Sequence, residues 1–264
     1  MYEFRGLQDV LFVALYIGAA TFALLACLYL LFRQRNVFMH EYGPNSRTIK
    51  TPTGELVRYD HPVRASHVLR RWTAALMAAI AASHVWWYVI GVYWLADDRL
   101  VRNTIAISLD YLTFVPLMMC VLLRMLQDRR RPLWPLIPLF FPIGVMAVVC
   151  INTRDESFLS VMECYLAILV VAFIIYYVWA VRQYGRWLLM NYADLERKEV
   201  WQSLLLLAFI LFVHTVYSFN EGSLFMEYLA QVNTIVIIGF LLWRVETLQE
   251  LESEEDMDND NKLK

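Results

Sequence analysis

Charge is scarce in this sequence. Only 18% of its 264 residues are charged, while 59% are hydrophobic and 15% aromatic. Soluble domains carry about a quarter charged residues, so this composition, with a mean hydropathy of +0.47, excludes an ordinary soluble fold. The four cysteines, Cys27, Cys120, Cys150 and Cys164, all lie inside apolar runs without CxxC or Cys/His spacing. That argues against a disulfide framework and a structural zinc site and leaves small buried hydrophobes. Long alternation of polar and apolar residues is missing, which excludes an outer-membrane barrel. No lysine stands between Lys198 and Lys262, so the last apolar segment has no Schiff-base lysine and a retinal photoreceptor is ruled out. No HxxxH or HExxH pair shares one segment either, which weakens any intramembrane metal hydrolase.

What the chain does have is long apolar runs. A bilayer core of about 30 Å needs about 20 apolar residues per helix, and seven segments qualify: 10–32, 72–96, 103–123, 133–151, 158–181, 201–219 and 224–243. The first is longer than a signal-peptide core of about 7–15 residues and no small-x-small site follows it before Arg33, so it is expected to be retained. The predicted fold class is all-α, a polytopic seven-transmembrane helix bundle forming one domain over 1–243. Pro132, Pro135, Pro138 and Pro142 should kink or unwind the cytoplasmic half of the fourth helix, and Pro116 should act similarly in the third.

Basic residues set the orientation, since they collect in cytoplasmic loops. Nineteen of the 23 lysines and arginines fall in 33–71, 124–131, 182–198 and the stretch after Trp243; the other four are Arg5, Arg99, Arg102 and Arg154. The N-terminus is therefore expected outside and the C-terminus in the cytoplasm. The cytoplasmic loop 33–71 contains two β-favouring runs, 48–50 and 55–59, around Thr51-Pro52-Thr53-Gly54, and reads as a small hairpin whose basic excess suits anionic headgroups.

In the third cytoplasmic stretch, Tyr184, Trp187 and Leu188 recur at helical spacing and suggest an amphipathic extension of the fifth helix along the headgroups. Asn191, with Asp194 three residues on, suggests an N-cap for the sixth. The segment 244–264 begins as a helical extension whose stripe Val245, Leu248 and Leu251 would pair with the same helix of a second copy, giving a homodimer, and ends as an acidic disordered tail.

The segments NYADLERKEVWQSL before the sixth span and LLWRVETLQELE leaving the seventh resemble the seven-transmembrane N-terminal input module of bacterial membrane-bound regulators. In that family an acidic linker joins the module to an AraC-type helix-turn-helix domain, and related modules precede histidine kinases. The resemblance implies a multi-pass protein of the bacterial inner membrane; the sequence departs from the family pattern in carrying no helix-turn-helix or kinase domain up to Lys264, so neither a cofactor nor direct nucleic-acid binding is expected of it. Its output would lie in another polypeptide or beyond Lys264.

Ionisable residues inside spans are costly and mark function by default. His84, Asp110, Glu163, His214 and Glu227 come from five different spans and cluster in the outer half, with Gln231 and Asn233 following Glu227. They are the candidate ligand-binding residues of an outward-facing polar cavity, in which Asp110 would pair with a histidine. Blander roles compete: Glu163 and Glu227 reaching the outer headgroups, Asp110 and His214 as bundle hydrogen bonds, His84 as a packed core histidine. The expected function is a non-enzymatic sensor of a small ligand or of membrane state; alternatives are a small-solute transporter or an intramembrane metal-dependent hydrolase.

Overall fold

The computed structural model describes residues 7–33, 46–50, 56–60, 66–90, 98–129, 131–191, 204–205 and 224–248. Six long helices dominate them: α1 (Leu7–Phe32), α2 (His67–Tyr88), α3 (Arg99–Met125), α4 (Leu136–Thr153), α5 (Ser157–Asn191) and α6 (Leu224–Thr247). Five of the six, all but α2, are long and apolar enough to cross a membrane, and the chain is a multi-pass membrane protein. Ile137 and Phe141 are 75% and 70% exposed, which water would penalise and acyl chains do not. The expected sixth span, 201–219, lies outside the described residues apart from the helical pair Leu204 and Leu205.

Between α1 and α2, β1 (Ser46–Lys50) and β2 (Leu56–Asp60) pair antiparallel, with Ser46 opposite Asp60 and Lys50 opposite Leu56. This is the hairpin expected around the Pro/Gly turn.

Small residues decide the helix packing. Ala19, Ala23, Ala26 and Cys27 on α1, and Ala74, Met77 and Ile80 on α2, are buried at helical spacing, so α1 and α2 approach closely and α2 packs on α3 and α6. One core joins α1, α2, the second halves of α3 and α5, and α6. A second, around Ile143, Met162 and Leu166, joins α3, α4 and α5. The bundle thus has one end carrying Arg70 and Glu246 and an opposite end carrying Asp98 and Arg154.

Several expectations need correction. α2 begins five residues before the expected Trp72, and α3 begins at Arg99 because Asp98 Oδ1 accepts from Leu100 N at 2.9 Å and caps the helix. Arg99 and Arg102, which look like loop, are helical. Pro132 and Pro135 precede α4 and Pro138 sits in its first turn, where no helical donor is lost; among the described residues only Pro142 is interior to α4. The extension of α5 exists, since α5 runs on to Asn191, but Tyr184, Trp187 and Leu188 enter the bundle core rather than lying on headgroups. Asn191 is the last described residue of α5, and the helix it is expected to cap lies outside the described residues. Val245 and Leu248 likewise pack in the chain's own core, so this part of the stripe faces inward instead of toward a second copy; Leu251 lies outside the described residues.

Candidate functional site: a polar cluster joining four helices

On α2, Ser83, His84 and Trp87 lie within the last two turns, four residues or fewer apart, so they point to adjacent faces of one helix. Toward α3, Ser83 Oγ donates to Asp110 Oδ1 and Trp87 Nε1 donates to Asp110 Oδ2, each at 2.7 Å. Asp110 is only half-buried, yet each of its oxygens is engaged, which a carboxylate at this depth requires. The expected aspartate–histidine pair is not formed with His84: a hydroxyl and an indole serve Asp110 instead.

Toward α6, the buried His84 places Nε2 3.0 Å from Gln231 Oε1, while Nδ1 lies 2.8 Å from the Ile80 carbonyl one turn back. A carbonyl can only accept, so Nδ1 carries a proton. Nε2 then has two ways to be satisfied. A doubly protonated ring donates to Oε1; a neutral ring accepts from the Gln231 amide nitrogen after a half-turn of the amide. His84 is thus buried with both ring nitrogens engaged.

From α1, Tyr16 donates its hydroxyl to the His84 carbonyl at 2.7 Å, and its ring lies 4.6 Å from the imidazole. Phe12 on the same helix meets Tyr228 of α6 edge-on at 5.7 Å. Among the expected site residues, His84, Asp110 and Gln231 are therefore assembled. Glu227 lies one turn before Gln231, half-buried and without a hydrogen-bond partner among the described residues. Asn233 Nδ2 is buried, also without one. Glu163 is exposed on α5 and makes no hydrogen bond to the cluster among the described residues. His214 lies outside the described residues.

Sequence reasoning missed a second polar junction about four turns along the same helices. Arg70 Nη1 of α2 pairs with Glu246 Oε1 of α6 at 3.0 Å, both buried. Tyr29 of α1 donates to Glu246 Oε2 at 3.3 Å, and Arg70 also reaches the carbonyls of Leu30 and Arg33 that end α1. By sequence Arg70 reads as a loop charge and Glu246 as part of the helical extension leaving the last span. Among the described residues no three His, Cys, Asp or Glu side chains are grouped as a metal site.

Compared with known proteins, the chain matches no family model, no curated protein and no solved structure.

Proposed function

We propose that the chain is a seven-span sensor or input module of a bacterial inner-membrane signalling protein, N-terminus outside and C-terminus cytoplasmic, responding to a small polar ligand at the His84–Asp110–Gln231 cluster. The observation that carries this reading is the double attachment of α6 to α2. Gln231 holds His84 at one level and Glu246 holds Arg70 fifteen residues further on, about 22 Å at 1.5 Å per residue. A ligand that takes over a hydrogen bond at the first level releases α6 there and shifts it about the second, toward the end where the output would attach.

Two further observations support the topology. Nineteen of the 23 basic residues fall on one side of the seven-span reading. The C-terminal part of α5 shares one core with Val245 and Leu248 at the Arg70 end, whereas Phe12 and Tyr228 meet at the other. The apolar stretch 201–219, which apart from Leu204 and Leu205 lies outside the described residues, has the length of the span that the seven-span reading needs between α5 and α6.

A thermal-stability screen of the purified chain against small polar solutes tests the function. A solute that raises the melting temperature of the native chain but not of Asp110→Asn, with neither flux into vesicles nor turnover, is the result expected of a sensor. Solute flux into vesicles that depends on Asp110 would assign the cluster to transport instead.

A further inference from the structure

A hollow of about 1070 Å³ opens between α3 and α4, bounded at one end by Trp72 of α2 and by Trp134. Its lining is almost wholly apolar, and two residues create it. Pro116 on α3 interrupts the helical ladder, and Gly144 on α4 contributes no side chain. A Cβ added at Gly144 would meet only Leu112 Cδ1, at an ordinary 3.8 Å, so close backbone approach does not require the glycine there; its absence of volume leaves the hollow open. The α4 wall from Trp134 to Val149 is about 22 Å long at 1.5 Å per residue, which is more than one leaflet of a core about 30 Å thick.

The α3 wall follows one helical stripe, Leu112, Pro116 and Cys120, and the next position on it is Arg124. Half-buried in the last turn of α3, Arg124 places a cation at the Arg70 end of an apolar groove. Its Nε is buried without a hydrogen-bond partner among the described residues. The nearest carboxylate along the chain is already occupied: Arg131 grips both oxygens of Asp128, at 2.6 and 2.8 Å. A guanidinium at the edge of hydrocarbon, with no carboxylate on it among the described residues, calls for an anion from outside the chain. Trp72 and Trp134, framing the same end, are the aromatic pair expected at headgroup depth.

We propose that this groove binds one anionic phospholipid, its acyl chain lying along Pro116 and Gly144 and its phosphate meeting Arg124. Charge complementarity selects the headgroup: a zwitterionic lipid carries its own cation beside the phosphate and gains less from Arg124. This site is separate from the His84–Asp110–Gln231 cluster and stands or falls independently of the sensing role.

The full chain, reconstituted into vesicles containing a phosphatidylglycerol with a photoactivatable acyl chain, tests the assignment when the adducts are mapped by peptide mass spectrometry. The same label on phosphatidylcholine gives the reference. The expected result is several-fold more labelling of 112–120 and 134–149 by phosphatidylglycerol. Arg124→Gln should bring it down to the phosphatidylcholine level and Arg124→Lys should keep the preference. Gly144→Trp should lower labelling by both lipids, with helix content by circular dichroism unchanged. Equal labelling by the two lipids in the native chain would overturn the proposal. So would a photoactivatable free fatty acid that labels as strongly, since the site would then take a carboxylate, or crosslinks between copies through Ile137 and Phe141 in place of lipid adducts.

Discussion

Arg70 of α2 and Glu246 of α6 meet at 3.0 Å with side chains 8% and 0% exposed. Removing either partner of a buried pair strands the other charge and costs about 3–5 kcal/mol, whereas replacing both with apolar residues of similar size is often neutral. Arg70→Met and Glu246→Met should each lower the melting temperature strongly, and the double variant should regain most of the loss. Thermal melts of the three variants in one detergent check this; a double variant as unstable as the sum of the singles would show that the two residues are not coupled.

His84 and Gln231 supply the second attachment of α6. Interhelical hydrogen bonds in membrane bundles average about 0.6 kcal/mol, but a buried polar atom left without a partner costs about 1–3 kcal/mol. Nε2 of His84 is buried and faces only Gln231 among the described residues, so the larger figure applies. Gln231→Leu should destabilise by about 1–3 kcal/mol, and Gln231→Asn, too short to span the gap, should do nearly the same. A loss in thermal unfolding no larger than that of a lipid-facing control such as Val232→Ala would remove the attachment from the argument.

The helices were legible in the sequence and the junctions between them were not. Apolar length alone located α1, α4 and α6, because a run long enough for a bilayer has only one economical backbone conformation there. Boundaries failed where charges sit inside helices: Arg99 and Arg102 mark a loop by composition, yet the Asp98 cap makes them the first turns of α3. The proline cluster misled for the opposite reason, since Pro132 and Pro135 stop short of α4 and disrupt nothing. For the site, depth brought His84, Asp110 and Gln231 onto one level, but depth is blind to rotation about each helix axis. His84 and Gln231 are 147 residues apart, and no local spacing says that they face each other or that Ser83 and Trp87 face Asp110. Arg70 and Glu246 were visible only as topology signals at helix ends; packing makes them a pair.

Asp155, in the turn between α4 and α5, gives a pH-dependent handle outside the spans. The backbone N–H of Ser157 donates to its carboxylate at 2.9 Å and the Ser157 hydroxyl adds a second bond, holding the carboxyl below its usual range. A carboxyl depressed by folding stabilises the fold above its unfolded pKa of about 3.9, and that contribution fades as pH falls through the lower folded value. Asp155→Ala should therefore lower the melting temperature slightly at neutral pH and make progressively less difference on acidification below about pH 4. A deficit independent of pH would mean that the charge on Asp155 plays no part in ending the turn.

Orientation is open to a direct chemical test. Thr153 and Arg154 close α4 at the Asp98 end; Thr153 is exposed, and Arg154, in a left-handed conformation at φ 56°, pairs with Asp98 at 3.5 Å. Gly54 lies between the two strands of the hairpin, in the loop that carries eight of the basic residues. If the basic side is cytoplasmic, single cysteines at the two positions, in a background with the four native cysteines replaced by alanine, should behave oppositely. Thr153→Cys should react with a membrane-impermeant maleimide on intact cells, and Gly54→Cys only after the cells are opened. The test does not depend on how many spans lie between 191 and 224, because both positions precede that region. Reaction of Gly54→Cys on intact cells, with Thr153→Cys protected, would reverse the orientation and move the His84–Asp110–Gln231 cluster to the cytoplasmic half of the bilayer. A ligand would then have to be an intracellular one.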